Sequence, residues 1–396
     1  MLTQHYIDDV SPRLDSNYVK SSAQEEQMVG LGIKRIEQAG RRALEGCVVP
    51  HAASDPKLQG VAIRLMESHE SPALSRLFCL VYGCNYIHEY VYDGDKLKAM
   101  IEAKRLISMV ASLPDGRLIG HVGLLKRNDA PAVYELCLGV VDPALKRCGI
   151  FGQIFTHIME LSNEASLQYC VSDLVTNHVF TQQCVAKYHP VDISLFVGCQ
   201  SKVTQANLGR LGLGEDPKAT DRYTLLYSIF PGVAQPFGSE IELPLNLGGM
   251  LGFLLKPLNL NWYPASRLQR PAPLGRYHKK LEPAQNSVVF QCHEPGRQAV
   301  ENIRKEWRQL LRSGYQYAAV EVPVGSAGIG HLYDALAEDG FFVGGFVPWH
   351  CSERLGLRFQ ALGPARVDFD EIRLYTDTAR QLLSIIRENY VRNAGL

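Results

Sequence analysis

The sequence predicts an α/β protein with a mixed (α+β) sheet, arranged as a principal domain followed by a smaller α/β domain. Three observations carry that prediction. Strand-like and helix-like runs alternate from Val61 onward; a stretch crowded with Pro and Gly interrupts them after residue 230; and strand-helix-strand-helix-strand-strand then recurs. A length of 396 residues fits two or three domains at ~150 residues each, and 46% hydrophobic residues suffice for a sizeable core.

The order of elements is legible in the pattern. Residues 1 to 60 are polar, with one helical run from Gln24 to Leu44, and read as a helical N-terminal extension. VAIRLMES (61–68) reads as a strand, SPALSRLFCLVYG (71–83) as an amphipathic helix with Ser71 as N-cap, and DGDKLKAMIEAK (93–104) as a second helix. RLISMVASLP and LIGHVGLLKR flank Asp115-Gly116, a hairpin signal. YELCLGVVDP (134–143) is a third strand, GIFGQIFTHIMELSNEA (149–165) a helix and CVSDLVT (170–176) a strand. HVFTQQCVAKY (178–188) is a helix, and residues 192–198 and 223–230 are two strands. These assignments delimit a principal domain over 61–230.

Seven prolines between Pro231 and Pro273 mark 231–285 as an irregular connector. Beyond it, SVVFQCHE, YAAVEVPV, FFVGGFV and LGLRFQAL read as strands. Helices are predicted over 297–311, at IGHLYDALAED and over 376–389, giving a second domain over 286–396 that repeats the later part of the first.

Lys+Arg 41 balance Asp+Glu 41, which argues against a non-specific grip on nucleic acid or anionic membrane. Ten Cys with no CxxC spacing imply reduced thiols and no metal site. The first residues lack an apolar core, and the longest stretch free of polar side chains, Leu247 to Leu255, is about 9 residues, too short to span a bilayer. The expectation is a cytoplasmic protein with neither nucleic-acid nor membrane partner.

The segment with most chemical content runs from Val141-Asp142-Pro143 through Lys146-Arg147-Cys148-Gly149-Ile150-Phe151-Gly152. A short loop with Gly at a helix start leaves backbone N–H groups unpaired at the positive end of the helix dipole, an arrangement suited to a pyrophosphate. An ordinary strand-to-helix turn using Gly149 has the same pattern. This segment resembles the signature of the GNAT N-acetyltransferase superfamily: a strand, Val-x-Pro, then Arg/Gln-x-x-Gly-x-Gly/Ala opening a helix. The element order over about 60–230 is also similar to that fold, and the last domain resembles a second, degenerate GNAT half.

The resemblance implies a cleft between two splayed strands that takes acetyl-CoA, or another acyl-CoA, as cosubstrate. Backbone groups of Leu138, Gly139, Val140 and Val141 would pair with pantetheine, and amides from Arg147 to Gly152, with Lys146 at the mouth, would hold the pyrophosphate. His178 would lie near the CoA arm. Two departures stand out: Lys146 for Arg or Gln, and Phe151 for Gly or Ala. Glu135 occupies the place of the strand glutamate used as general base in the histone-acetylating branch; otherwise it points to solvent. Strand alternation puts Glu135, Cys137, Gly139 and Val141 on one face. The family's acid Tyr falls on Val185 here, leaving Tyr188, nearly one helical turn on, or a water as general acid.

The implied function is transfer of an acetyl or other short acyl group from CoA to a primary amine, in a small molecule or a peptide, by direct attack. The alternative is a catalytically silent acyl-CoA-binding or regulatory module. The second domain, lacking the Lys/Arg-x-x-Gly-x-Gly row at His293-Glu294-Pro295-Gly296, is expected to complete the substrate pocket or to form a homodimer. Gly325 to Gly330 looks in part like a phosphate loop but lacks the GxGxxG spacing and the P-loop Lys.

Overall fold

A computed structural model of the chain describes residues 58–83, 85–127, 133–145, 147–165, 167–205, 220–232, 237–238, 240–265, 270–349 and 354–394. The helix expected over 24–44 and Lys146 lie outside the described residues.

Fourteen strands and eight helices are found among them. The first half contains β1 (Ala62–Leu65), α1 (Ser71–Tyr82), α2 (Gly94–Glu102), β2 (Leu106–Ser112), β3 (Leu118–Lys126), β4 (Val133–Val141) and α3 (Ile150–Glu164). It continues with β5 (Tyr169–Val175), α4 (Phe180–Ala186), β6 (Val191–Ser201) and β7 (Arg222–Pro231). Next come β8 (Glu240–Leu243), α5 (Leu245–Leu251), β9 (Asn261–Pro264) and β10 (Arg276–Glu282). The last part holds β11 (Ser287–Glu294), α6 (Arg297–Arg312), β12 (Tyr317–Pro323), α7 (Ile329–Ala337), β13 (Phe342–Pro348), β14 (Leu355–Leu362) and α8 (Asp377–Ala394).

Local chemistry explains the starts and turns. The Asp93 side chain accepts from the amides of Asp95 and Lys96 and so caps α2. Asp115 accepts from the Arg117 amide and closes the β2–β3 turn. Ser71 does not cap α1 as expected; it is the first helical residue, and Glu70 ahead of it is clamped by Arg64 at 2.6 and 2.7 Å.

Twelve strands form one sheet in the order β1-β2-β3-β4-β5-β7-β6-β13-β14-β12-β11-β10. Read outward from the centre, β6-β7-β5-β4-β3 and β13-β14-β12-β11-β10 have the same connectivity and the same strand senses, parallel at β4–β5 and at β11–β12. The repeat expected from element order is thus a repeat of topology, related by a pseudo-twofold axis between β6 and β13. A single hydrophobic cluster runs through both halves, from Ile154 and Leu195 to Phe346 and Ile386.

The joint at the centre is unusual. β6 and β13 share one ladder pair, Ser194 with Gly345. Gly345 has φ 123°, and a Cβ there would collide with the Ile193 carbonyl, so the close approach requires glycine. Beyond that pair the Gln360 side chain of β14 reaches across β13, accepting from the Val197 amide (2.9 Å) and donating to the Leu195 carbonyl (2.9 Å). α8 lies over this joint against β13 and β6. No described helix is long and apolar enough to cross a membrane.

Among its described residues, the segment expected as an irregular connector holds regular elements instead. β8 and β9 form a two-stranded parallel sheet, and Leu243, Leu247, Leu251, Leu254 and Leu255 are fully buried. Its last part, β10, is the edge strand of the main sheet, so the second lobe begins near Arg276 rather than at 286. Pro231 and Pro264 end strands and Pro244 precedes α5, and the leucines between them are buried all the same.

Gln360→Leu keeps the side-chain volume but strands the Val197 N–H and the Leu195 C=O. A stability loss on the order of 2–4 kcal/mol is expected, read as a lower urea midpoint.

Candidate functional site

β4 and β5 run parallel but pair only at Val133–Tyr169, Tyr134–Cys170 and Glu135–Val171. Past that point β4 continues to Val141 and β5 to Val175 with no ladder between them, so the strands part as the resemblance implies. Ser172 Oγ donates to the Leu136 carbonyl (2.9 Å) at the apex of the wedge.

A bulge bends β4 as the wedge opens. The β3–β4 register shifts between His121 and Gly123, and Leu138 has φ 57°. His121, fully buried, holds the bulge through Nδ1 and the Leu138 carbonyl (2.8 Å). Burial depresses its pKa to about 4, so the ring is neutral and Nδ1 is the donor. The bulge corrects the expected alternation. Glu135 and Cys137 share the α1/α2 face with Leu138 and Val140, whereas Gly139 and Val141 turn to the α3 face.

At the wide end stands the turn before α3. Asp142 shapes it, accepting from the Ala144 amide (2.9 Å) and from Arg117 (3.2 Å). Arg147 and Gly149 adopt φ 65° and 77°, and the amides of Gly149, Ile150, Phe151 and Gly152 donate to no acceptor among the described residues. A Cβ on Gly149 would meet nothing closer than 3.8 Å and one on Gly152 nothing within 4 Å, so the turn is open. The Ile150 side chain is buried in the core, which leaves its backbone for any ligand. Cys148 is half-buried against the core. Phe151 does not cover the turn; its ring packs against Gly139, where β4 has no side chain.

The second lobe has neither feature. β11 and β12 stay paired over five residue pairs, from Ser287–Tyr317 to Gln291–Glu321. The amides of Arg297, Gln298 and Ala299 at the start of α6 are taken by the carbonyls of Ala272, Pro273 and Leu274, at 2.8 to 3.0 Å. In the Gly325–Gly330 loop Gly328 is packed on Pro271 and the Pro295 carbonyl, whereas a Cβ on Gly325 would meet nothing within 4 Å. Asp339 and Glu338 bind Arg304, and Asp339 also binds Arg308, tying α7 to α6.

On the α1/α2 face the sheet forms the floor of a cleft. Glu135 lies 3.6 Å from Arg127. Asp173, two residues after the last β4–β5 pair, is solvent-exposed yet desolvated by the protein that surrounds it, and it has no ion-pair partner among the described residues. That enclosure, together with the Glu135 charge, raises its pKa to about 7 against the opposing pull of Arg358 and Arg127, with Glu282 adding to the rise. Tyr227 stands opposite Asp173 on β7. Tyr82 and Tyr86 pack at 4.6 Å beside Phe78, and burial drives both phenols above their ordinary range.

The other expected site residues lie apart from this floor. Tyr188 donates to Thr156 Oγ1 (2.8 Å) and packs on Phe155, placing its hydroxyl against α3 on the opposite face from Glu135. His178 packs against Phe180, ring centroids 5.2 Å apart and tilted, ahead of α4. Neither Thr176 nor Asn177 caps that helix; Thr176 donates instead to the Thr224 carbonyl. Asp173 was not singled out in the sequence because one acid in an alternating strand looks like a solvated side chain. A separate cavity of about 500 Å³ beneath α4 is lined mostly by apolar side chains and by Asp192, which accepts from Ser228 (2.6 Å) and Thr376.

No protein-family model matches the sequence, and no curated protein does. Among solved structures, an N-acetyltransferase from Staphylococcus aureus is similar at 12% identity and a TM-score of 0.35, covering 44% of this chain and 99% of its own. A GNAT-family acetyltransferase from Streptococcus pneumoniae is similar at 12% identity and 0.34, over 43% and 98%. A putative acetyltransferase from Salmonella typhimurium, solved with its cofactor acetyl-CoA, is similar at 11% identity and 0.34, over 44% and 94%. What the cleft can do is therefore argued from this chain's own residues.

The raised Asp173 pKa fixes a stability effect. The folded state binds this proton more tightly than the unfolded chain, so the contribution of Asp173 to stability falls as pH rises from about 4 through about 7. Asp173→Asn removes that penalty. Thermal melts should show the variant gaining on the wild type at pH 8 and the gain shrinking by pH 5.

Proposed function

We propose that the wedge between β4 and β5 binds acyl-CoA and that the cleft beneath it passes the acyl group to a primary amine. The observation that supports this most is the row of unsatisfied amides from Gly149 to Gly152 at the wide end of parted parallel strands. Such a row, at a helix N-terminus, suits a pyrophosphate.

In this reading the amine, an ammonium ion in water, delivers a proton to Asp173, whose pKa of about 7 suits a base working near neutrality. Glu135, beside it on the same face, helps to hold that pKa up. The free amine attacks the thioester carbonyl; the C–N bond forms, the C–S bond breaks, the second proton shed by the nitrogen passes through water to the departing thiolate, and Asp173 releases the first to solvent. Cleft walls keep the reactants together, a contribution from proximity. Tyr188 keeps its bond to Thr156 and serves the packing of α4 on α3.

A second reading, acyl-CoA binding without turnover, is favoured by one feature: the Phe151 ring occupies the space beside Gly139 along the α3 side of the wedge. Release of CoA thiol from acetyl-CoA with a panel of amines separates the two. Turnover supports transfer, and tight CoA binding without turnover supports the second reading.

Two outcomes are expected of variants. Gly152→Asp adds an acid to the first turn of α3, which suits the helix dipole but repels a pyrophosphate. CoA affinity by calorimetry should drop at least tenfold (an order-of-magnitude expectation from removing a charge-assisted contact) while the melting temperature holds or rises. For the wild type, kcat/KM should climb with pH through about 7 as Asp173 loses its proton. Asp173→Asn should abolish that limb and lower the rate by roughly 10²–10⁴.

A further inference from the structure

The cleft floor does not end with the first lobe. Phe196 of β6 stacks on Tyr227 at 5.1 Å, and the guanidinium of Arg358, from β14 of the second lobe, lies 3.7 Å over the Phe196 ring. Arg358 reaches that far because β13, which it crosses, carries Gly344 and Gly345 at the crossing; Gly344 sits against its Cγ. One nitrogen is held by Glu321 at 3.1 Å, yet Nε, buried, has no hydrogen-bond partner, in a side chain only 9% exposed. An arginine this enclosed with an unsatisfied donor is costly unless something else completes its bonding.

Charges along the floor are otherwise matched. Glu135 has Arg127, Glu282 has Lys280 at 2.9 Å, and Asp173 alone has no ion-pair partner among the described residues. A lone carboxylate and an incompletely bonded guanidinium therefore face the same aromatic strip, Tyr227 and Phe196. β5 and β6 are two strand spacings apart and Phe196 stands two residues along from the position in line with Asp173, so the two groups are separated by roughly 12 Å. That span accommodates an ammonium and a carboxylate a few atoms apart, each with one hydrogen bond of about 2.9 Å.

We propose that Arg358 is a specificity-determining anchor supplied by the second lobe, and that the acceptor is a primary amine that also carries a carboxylate, an amino acid or a close relative. The inference rests on the acyl-transfer reading for the amine end alone. Arg358 binds the carboxylate, the aromatic strip covers the carbons between, and the amine is left beside Asp173.

The test uses the full chain with acetyl-CoA. Thiol release is compared for α- and ω-amino acids against alkylamines of matching length, and calorimetry measures amino-acid binding to the CoA-saturated protein. The carboxylated series should be preferred at least tenfold, an order-of-magnitude expectation for a charge-assisted contact. Arg358→Met should remove that preference through KM, by on the order of 100-fold, with Arg358→Lys in between. Arg358→Met/Glu321→Met removes both charges, guards against misfolding from an unpaired Glu321, and should show the same loss. Equal use of both series by the wild type, or a preference unchanged in these variants, overturns the anchor while transfer stands. Amino-acid binding that depends on Arg358 without turnover keeps the anchor and overturns transfer. Absence of amino-acid binding overturns the anchor.

Discussion

Backbone polar groups inside a protein must find partners, and this chain departs from that requirement at one productive place. Where β4 leaves β5 after Glu135 no ladder joins the two strands, and where α3 begins, five residues after Leu145, the amides from Gly149 to Gly152 have no acceptor among the described residues. The Leu138 bulge, tied down by His121, turns β4 as it leaves its neighbour. Everything assigned to the wedge follows from that unfilled bonding.

The second lobe is an internal control written by the same topology. Its β11 and β12 stay zipped, and the carbonyls of Ala272, Pro273 and Leu274 occupy the α6 amides that correspond to the open ones of α3. One copy of the fold thus keeps its site by leaving groups unsatisfied, and the other gives its site up by satisfying them with its own chain. What remains of the second copy faces the first across a shared floor, joined by one β6–β13 pair and the Gln360 bridge.

Much of this was legible in the amino-acid pattern, for identifiable reasons. Asp115-Gly116 and the Val141-Asp142-Pro143 turn are local signals, set by residues a few positions apart. The recurrence of element order showed the duplication. What escaped were consequences of distant packing. The left-handed residue of the bulge is Leu138 rather than a glycine, so strict alternation mis-assigned Gly139 and Val141. Prolines between 231 and 273 hid leucines that are wholly buried. Asp173 looked like any exposed strand acid, because what raises its pKa is burial together with the charges of Glu135 on β4 and Glu282 on β10, which are distant in sequence. Phe151, a departure from the motif, is accommodated by Gly139 twelve residues earlier, a complementarity that spacing does not reveal.

Amide hydrogen exchange, followed by mass spectrometry with and without CoA, tests the central claim most directly. Slower exchange on CoA addition at residues 136–141 and 147–152, with no change at 297–299, is the result the account predicts. Unchanged exchange at 147–152 under saturating CoA, or protection at the start of α6 instead, would contradict it.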